Sequence, residues 1–179
     1  MAASVRRFRW VVLLATLAVL VVVNSAIWQK ERHIAQGEVV YLELAPVDPR
    51  SLIQGDYMAL NFALANRLQS ELYQRGETPS ASMNGDVVVR VDSARVAHFQ
   101  RIDDGTPLEA DERRLQFRLR HGQVRFATNA FFFQEGHAER YEAAHYGEFR
   151  VNNEGELLLT ALYDDAFNRL GNLENGVKN

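Results

Sequence analysis

Hydrophobic and polar positions divide the chain into a long uninterrupted apolar run followed by short alternating segments. From Trp10 to Gln29 there are twenty residues without a charge, and from Trp10 to Val23 only Thr16 is not apolar. A helix of that length reaches about 30 Å, the thickness of a bilayer hydrocarbon core, so the run predicts a transmembrane helix. Residues 29–36 (QKERHIAQ) have helix-forming composition and carry the helix on to Gly37. Beyond Gly37 the period changes to two. Val39, Tyr41 and Glu43 alternate with Val40, Leu42 and Leu44, a strand that Pro46 stops. Residues 57–64 (YMALNFAL) read as a second strand, and residues 65–75 as a short helix with Leu64, Leu68 and Leu72 on one stripe and Gly76 as its stop.

The second half reads as strands. Residues 86–91 and 95–102 predict a hairpin across Asp92-Ser93-Ala94, closed by the turn-forming DDGTP at 103–107. Arg114, Gln116, Arg118 and Arg120 alternate with Leu115, Phe117 and Leu119, which gives one basic wet face and one buried face. Residues 124–133 predict a further strand, residues 136–146 a helix, and residues 149–151 a hairpin partner for 156–163 across Asn152-Asn153-Glu154-Gly155. About eight strands with two or three short helices and no βαβ alternation predict a mostly β (α+β), antiparallel, partly closed domain behind the membrane helix. The expected organisation is a basic N-terminus at 1–9, an anchor at 10–29, a helical extension at 30–37, the β-rich domain at 38–165 and a C-terminal tail at 166–179.

Charge adds a direction. Arg6, Arg7 and Arg9 precede the apolar run, whereas Lys30, Glu31 and Arg32 follow it with mixed sign, which predicts a cytoplasmic N-terminus and an exported domain. Trp10 and Trp28 bracket the run where interfacial aromatic residues belong. A cleaved signal peptide is the rival reading, but its apolar core is usually only about 7–15 residues. The bilayer, through Trp10 to Gln29, is thus the first expected partner, with the inner membrane as location and the domain periplasmic or extracellular. With the three N-terminal arginines set aside, 17 basic residues stand against 23 acidic ones, a balance that argues against nucleic acid. The absence of cysteine removes disulfides, thiolate nucleophiles and Cys-ligated metals.

Three segments invite chemistry. In PVDPRSLIQGDYMALNF, residues 46–62, two prolines stiffen the exit from the first strand, Asp48 suits an Asx turn and Gly55 suits a positive φ, while Arg50 is within reach of Asp48 or Asp56. On a helix His137, Tyr141 and His145 would form one stripe with Glu142 beside it, too widely spaced for one zinc, so no metal and no cofactor is expected. Around Ser80 and Ser82 a Ser–Lys hydrolase would need a lysine base, and the chain has only Lys30 and Lys178; combinations of Ser82 or Ser51 with His98 arise by chance. No catalytic residue is therefore assigned.

Gly55, Asp56, Tyr57 and Leu60, with Phe62 in the place of the final tyrosine, resemble the signature of the GDYXXLXY family, and similarity extends to Phe132-Phe133-Gln134-Glu135-Gly136, Tyr141-Glu142-Ala143 and Tyr146-Gly147-Glu148. The resemblance implies a membrane-anchored bacterial protein considered alongside multi-pass membrane proteins, without an assigned activity. The candidate surface consists of Asp48, Arg50, Gly55, Asp56, Tyr57 and Leu60 from the first segment and Glu135, Tyr141, Glu142 and Tyr146 from the second, expected to be neighbours in space. The expected role is binding, as an accessory subunit to another membrane or envelope protein. The alternative is an envelope hydrolase with an unrecognised active site.

Overall fold

A computed structural model describes residues 2–45, 53–54, 57–76, 82–128 and 130–171. Contacts divide the chain into two units, Met1–Gln36 and Gly37–Asn179. The first is one continuous helix, α1 (Ala2–Gln36), so the expected anchor and the expected helical extension are a single element. Within it Arg9–Gln36 is long and apolar enough to cross a membrane, with a mean hydropathy of 2.5 over its most apolar stretch. Its valines and leucines lie exposed.

The second unit is β-rich, with strands β1 (Glu38–Glu43), β2 (Ile53–Gln54), β3 (Tyr57–Ala59), β4 (Met83–Val91), β5 (Ala97–Ile102), β6 (Glu112–Arg120), β7 (Gln123–Arg125), β8 (Ala130–Phe132), β9 (Tyr146–Val151) and β10 (Leu157–Tyr163). The helix α2 (Ala63–Gln74) follows β3. The strands form three antiparallel sheets, ordered β1-β9-β10, β2-β3-β8 and β5-β4-β6-β7. The first and third are joined at one parallel bridge, Tyr41 to Val96, where Tyr41 N–H donates to the Arg95 carbonyl at 2.8 Å. At the far side Gln116 N–H of β6 donates to the Gly155 carbonyl in the β9–β10 turn, also at 2.8 Å. The two sheets thereby curl around one core.

Alternation builds that core. Val40, Leu42, Phe149 and Leu162 face Val87, Val89, Leu115 and Phe117, and Leu64, Leu68 and Leu72 of α2 close it, packing against β1, β5 and β7. α2 ends where the sequence places its stop: Gly76 takes a φ of +76° and its N–H donates to the Tyr73 carbonyl.

Three expectations are corrected. Residues 57–64 are not one strand, because β3 ends at Ala59 and α2 starts at Ala63. The run 124–133 is split between β7 and β8 in different sheets; Ala127, at a φ of +39°, turns the chain between them. Residues 136–146 hold only a 3-10 turn, Ala138–Tyr141, because Tyr141 is drawn onto Phe131 and Phe133 and the chain must become extended again at Tyr146. The stripe His137, Tyr141, His145 therefore does not form. Leu170 N–H donates to the Leu162 carbonyl, which returns the segment 166–171 to the sheet.

Candidate functional site

The motif strand β3 pairs with β8, with Tyr57 opposite Phe132, Met58 opposite Phe131 and Ala59 opposite Ala130. Strand alternation sends Met58 and Leu60 into the core and leaves the Tyr57 ring half-buried beside Phe132, at a centroid distance of 5.9 Å. Phe132 is 75% exposed. Its neighbours Phe131 and Phe133 take the opposite face and pack on Tyr141, at 5.1 and 5.3 Å, the latter pair stacked. β8 therefore connects Tyr57 to the Tyr141 segment. Glu135 and Glu142 are exposed on that segment. Asp48, Arg50, Gly55 and Asp56 lie outside the described residues, so the Arg50 pairing and the Gly55 φ have no place in this geometry. Leu60 is a core residue, and Phe62, where the signature has tyrosine, is buried with its ring edge-on to Phe149 at 5.4 Å. A hydroxyl there would enter an apolar core.

Tyr146 belongs to a second cluster, on the outer face of the β1-β9-β10 sheet. Register sets Glu148 opposite Tyr41, and Tyr146 opposite Glu43 on β1 and Tyr163 on β10. The Tyr163 hydroxyl donates to Glu148 Oε2 at 2.7 Å and the Thr160 hydroxyl to Oε1 at 2.6 Å, with Tyr41 Oη at 3.5 Å. Burial works to raise the Glu148 pKa, but the Thr160 and Tyr163 hydrogen bonds, helped by Arg150 and Arg169, outweigh it and hold the carboxyl below the usual glutamate range. Burial, then the bond to Glu148, drive the Tyr163 phenol well above the usual tyrosine range. Phe167, at a φ of +59°, folds back to stack on Tyr146 at 4.5 Å and meet Tyr41 edge-on at 5.2 Å. These ring contacts and hydrogen bonds tie three strands and the returning segment together. Sequence reasoning missed it, although Tyr41-Glu43 and Tyr146-Glu148 both stand on the polar positions of alternating strands.

The arginines on the β6 face find partners within the domain. Arg114 pairs with Asp103 at 2.7 Å, Arg118 donates to the Ala127 carbonyl at 2.7 Å, and Arg120 donates to the Met83 carbonyl and Asn84 Oδ1. His98 bonds Asp92 at 2.8 Å rather than a serine. Among the described residues no three His, Asp or Glu side chains gather as a metal centre requires.

A groove of about 650 Å³ opens between β10 and the β4–β6 pair, lined among others by Gly85, Asp86, Phe117, Thr128 and Leu157. Burial raises the Asp86 pKa above the usual aspartate range, against the pull of Arg114 and with a further push from Asp103.

In comparisons with known proteins, the family model described as GDYXXLXY protein matches residues 19–162. No curated protein and no solved structure matches the chain.

Proposed function

This chain belongs to the GDYXXLXY family, and from that premise we propose that it is a membrane-anchored binding module, an accessory partner of another membrane or envelope protein. In this reading α1 is a single-pass anchor in the inner membrane, with Arg6, Arg7 and Arg9 in the cytoplasm and the β-rich domain outside. The observation that carries the binding role is Phe132. A phenylalanine three-quarters exposed on an edge strand, backed by Tyr57 of the motif, is an apolar surface that a monomer gains nothing by displaying. Aromatic side chains of this kind anchor protein interfaces, because they bury large areas at small entropic loss.

The test uses Phe132→Ser in the full chain. Its side chain contributes little to the core, so circular dichroism and the melting temperature should stay near those of the unaltered protein. Co-purification of membrane partners in mild detergent should be lost. Retention of the same partners at the same yield would overturn the reading. Orientation is tested separately: a reporter that works only outside the cytoplasm, fused after Asn179, should be active, and activity of a cytoplasm-only reporter would overturn the topology.

A further inference from the structure

We propose that the groove between β10 and β6 is a second binding site, which takes an extended segment of another protein carrying a basic side chain. The inference goes beyond the reading above, since it needs neither Phe132 nor the anchor. Its first support is the state of the two strand edges. β10 has β9 on one side and, on the other, only the returning segment at its C-terminal end, where Tyr163 bridges Arg169 and Leu170 N–H donates to the Leu162 carbonyl. Its N-terminal part has no strand there among the described residues, while β6 has β4 on one side and on the other only the three-residue β7, at Arg118–Arg120. The edges are tied where Gln116 meets the turn, through its N–H to the Gly155 carbonyl and its Nε2 to the Glu154 carbonyl at 2.9 Å. Past that tie they part without pairing, and the groove fills the opening. An unpaired strand edge beside a cleft is the geometry that an added strand completes, with main-chain hydrogen bonds giving affinity and alternate side chains giving specificity.

Its second support is charge. Asp86 lines the groove, and its carboxylate has no hydrogen bond or ion pair among the described residues. The nearest cations are committed elsewhere: Arg114 holds Asp103, and Arg118 holds the Ala127 carbonyl. Glu156, on the β10 wall, adds a second carboxylate already within reach of Asn152 Nδ2 at 3.4 Å. A partly buried carboxylate whose attracting cation, Arg114, is already bonded to Asp103, in a groove also lined by apolar Phe117 and Leu157, favours a segment that alternates an arginine or lysine with apolar residues. The same charges disfavour a second copy of this edge, which would set Asp86 and Glu156 against their own equivalents.

Binding is read from the fluorescence anisotropy of a dye on the peptide, titrated with the unaltered full chain in detergent micelles. The probe is a capped heptapeptide of alternating valine and threonine with one central arginine; the control has glutamate at that place. The arginine peptide should give a saturable signal, about tenfold weaker for the glutamate peptide and about tenfold weaker on Asp86→Asn. Asp86→Asn removes a charge that burial disfavours, so the fold should survive, and Asp86→Ala repeats the measurement with a different side chain. No saturable binding up to about 1 mM, the weak limit for specific recognition, would overturn the proposal. So would equal binding of the two peptides, insensitivity to both Asp86 variants, or a dimer by light scattering that the peptide does not dissociate. Phe132→Ser should leave peptide binding intact, which separates failure of this site from failure of the partner surface.

Discussion

Tyr163 and Glu148 sit side by side on the outer face of the β1-β9-β10 sheet, joined by a 2.7 Å hydrogen bond from phenol to carboxylate. The two groups shift in opposite directions, and each shift has a pH consequence. Glu148 is held below its ordinary range, so its contribution to stability is full above the glutamate pKa of the unfolded chain and is lost as pH falls through the lower folded value. Tyr163 is held above its ordinary range, so its contribution is full below about pH 10 and is lost only as pH rises through the higher folded value. Alkaline difference spectroscopy should therefore show a late phenolate step that Tyr163→Phe removes. A Tyr163→Phe titration that keeps the late step would contradict the assignment.

Gly155 and Gly105 provide a controlled pair for backbone strain. Both have a left-handed φ, +81° and +84°, but a Cβ on Gly155 would lie 2.7 Å from the Arg114 carbonyl oxygen, whereas a Cβ on Gly105 meets nothing within 4 Å. Gly105→Ala should lose about 1–2 kcal/mol from backbone conformation alone. Gly155→Ala must also push β6 away from the turn, breaking the tie to Gln116, and should lose about 3 kcal/mol or more. Equal losses by denaturant titration would show that the turn and β6 are not in contact.

Legibility in the sequence followed the distance over which the physics acts. The stripe Leu64, Leu68, Leu72 and the alternation Leu115, Phe117, Leu119 were readable because burial of a periodic face is set by neighbours three or two residues apart, and all six are buried. The hairpin closed by Gly155 was readable from its turn chemistry. Glu148 was not. Its partner Tyr41 lies 107 residues away, and only the register of β1 on β9 brings them together. The failed helix at 136–146 has the same origin: local composition favours it, but contacts of Tyr141 with Phe131 and Phe133 override that preference. For the candidate surface, Tyr57 and Tyr141 were legible as motif residues, whereas the exposed Phe132 between them required the β3–β8 pairing.

Leu68 tests whether α2 is integral to the domain. It is fully buried, in one cluster with residues of both large sheets. Leu68→Ala should lose about 2–5 kcal/mol, with the upper part of the range reached if the neighbours cannot collapse into the cavity. A loss well under 1 kcal/mol would place α2 as a loosely attached helix.

Arg101 and Glu112 test the one nearly buried carboxylate of the β5-β4-β6 region. Arg101 Nη1 donates to Glu112 Oε1 at 2.6 Å, Glu109 N–H donates to Oε2 at 3.2 Å, and Glu112 is 2% exposed. The Arg101 hydrogen bond, more than any other influence, holds the Glu112 carboxyl below the usual range. In the unaltered protein this pair therefore stabilises above the glutamate pKa of the unfolded chain and weakens as pH falls. Arg101→Met should reverse that slope. With its cation gone, Glu112 is a buried charge in need of a proton, and the variant should gain stability as pH falls from about 7 to 5, whereas the unaltered protein should not. Adding Glu112→Gln to Arg101→Met removes the stranded charge, so the double variant should be more stable than the single one and insensitive to pH over the same interval. By comparison Arg90→Met, which breaks the exposed contacts to Glu109 and Asp111, should change the melting temperature little. Thermal melts of the four proteins across that interval decide it: a single variant whose stability falls with pH as the unaltered protein's does would mean that Glu112 reaches solvent and needs no partner.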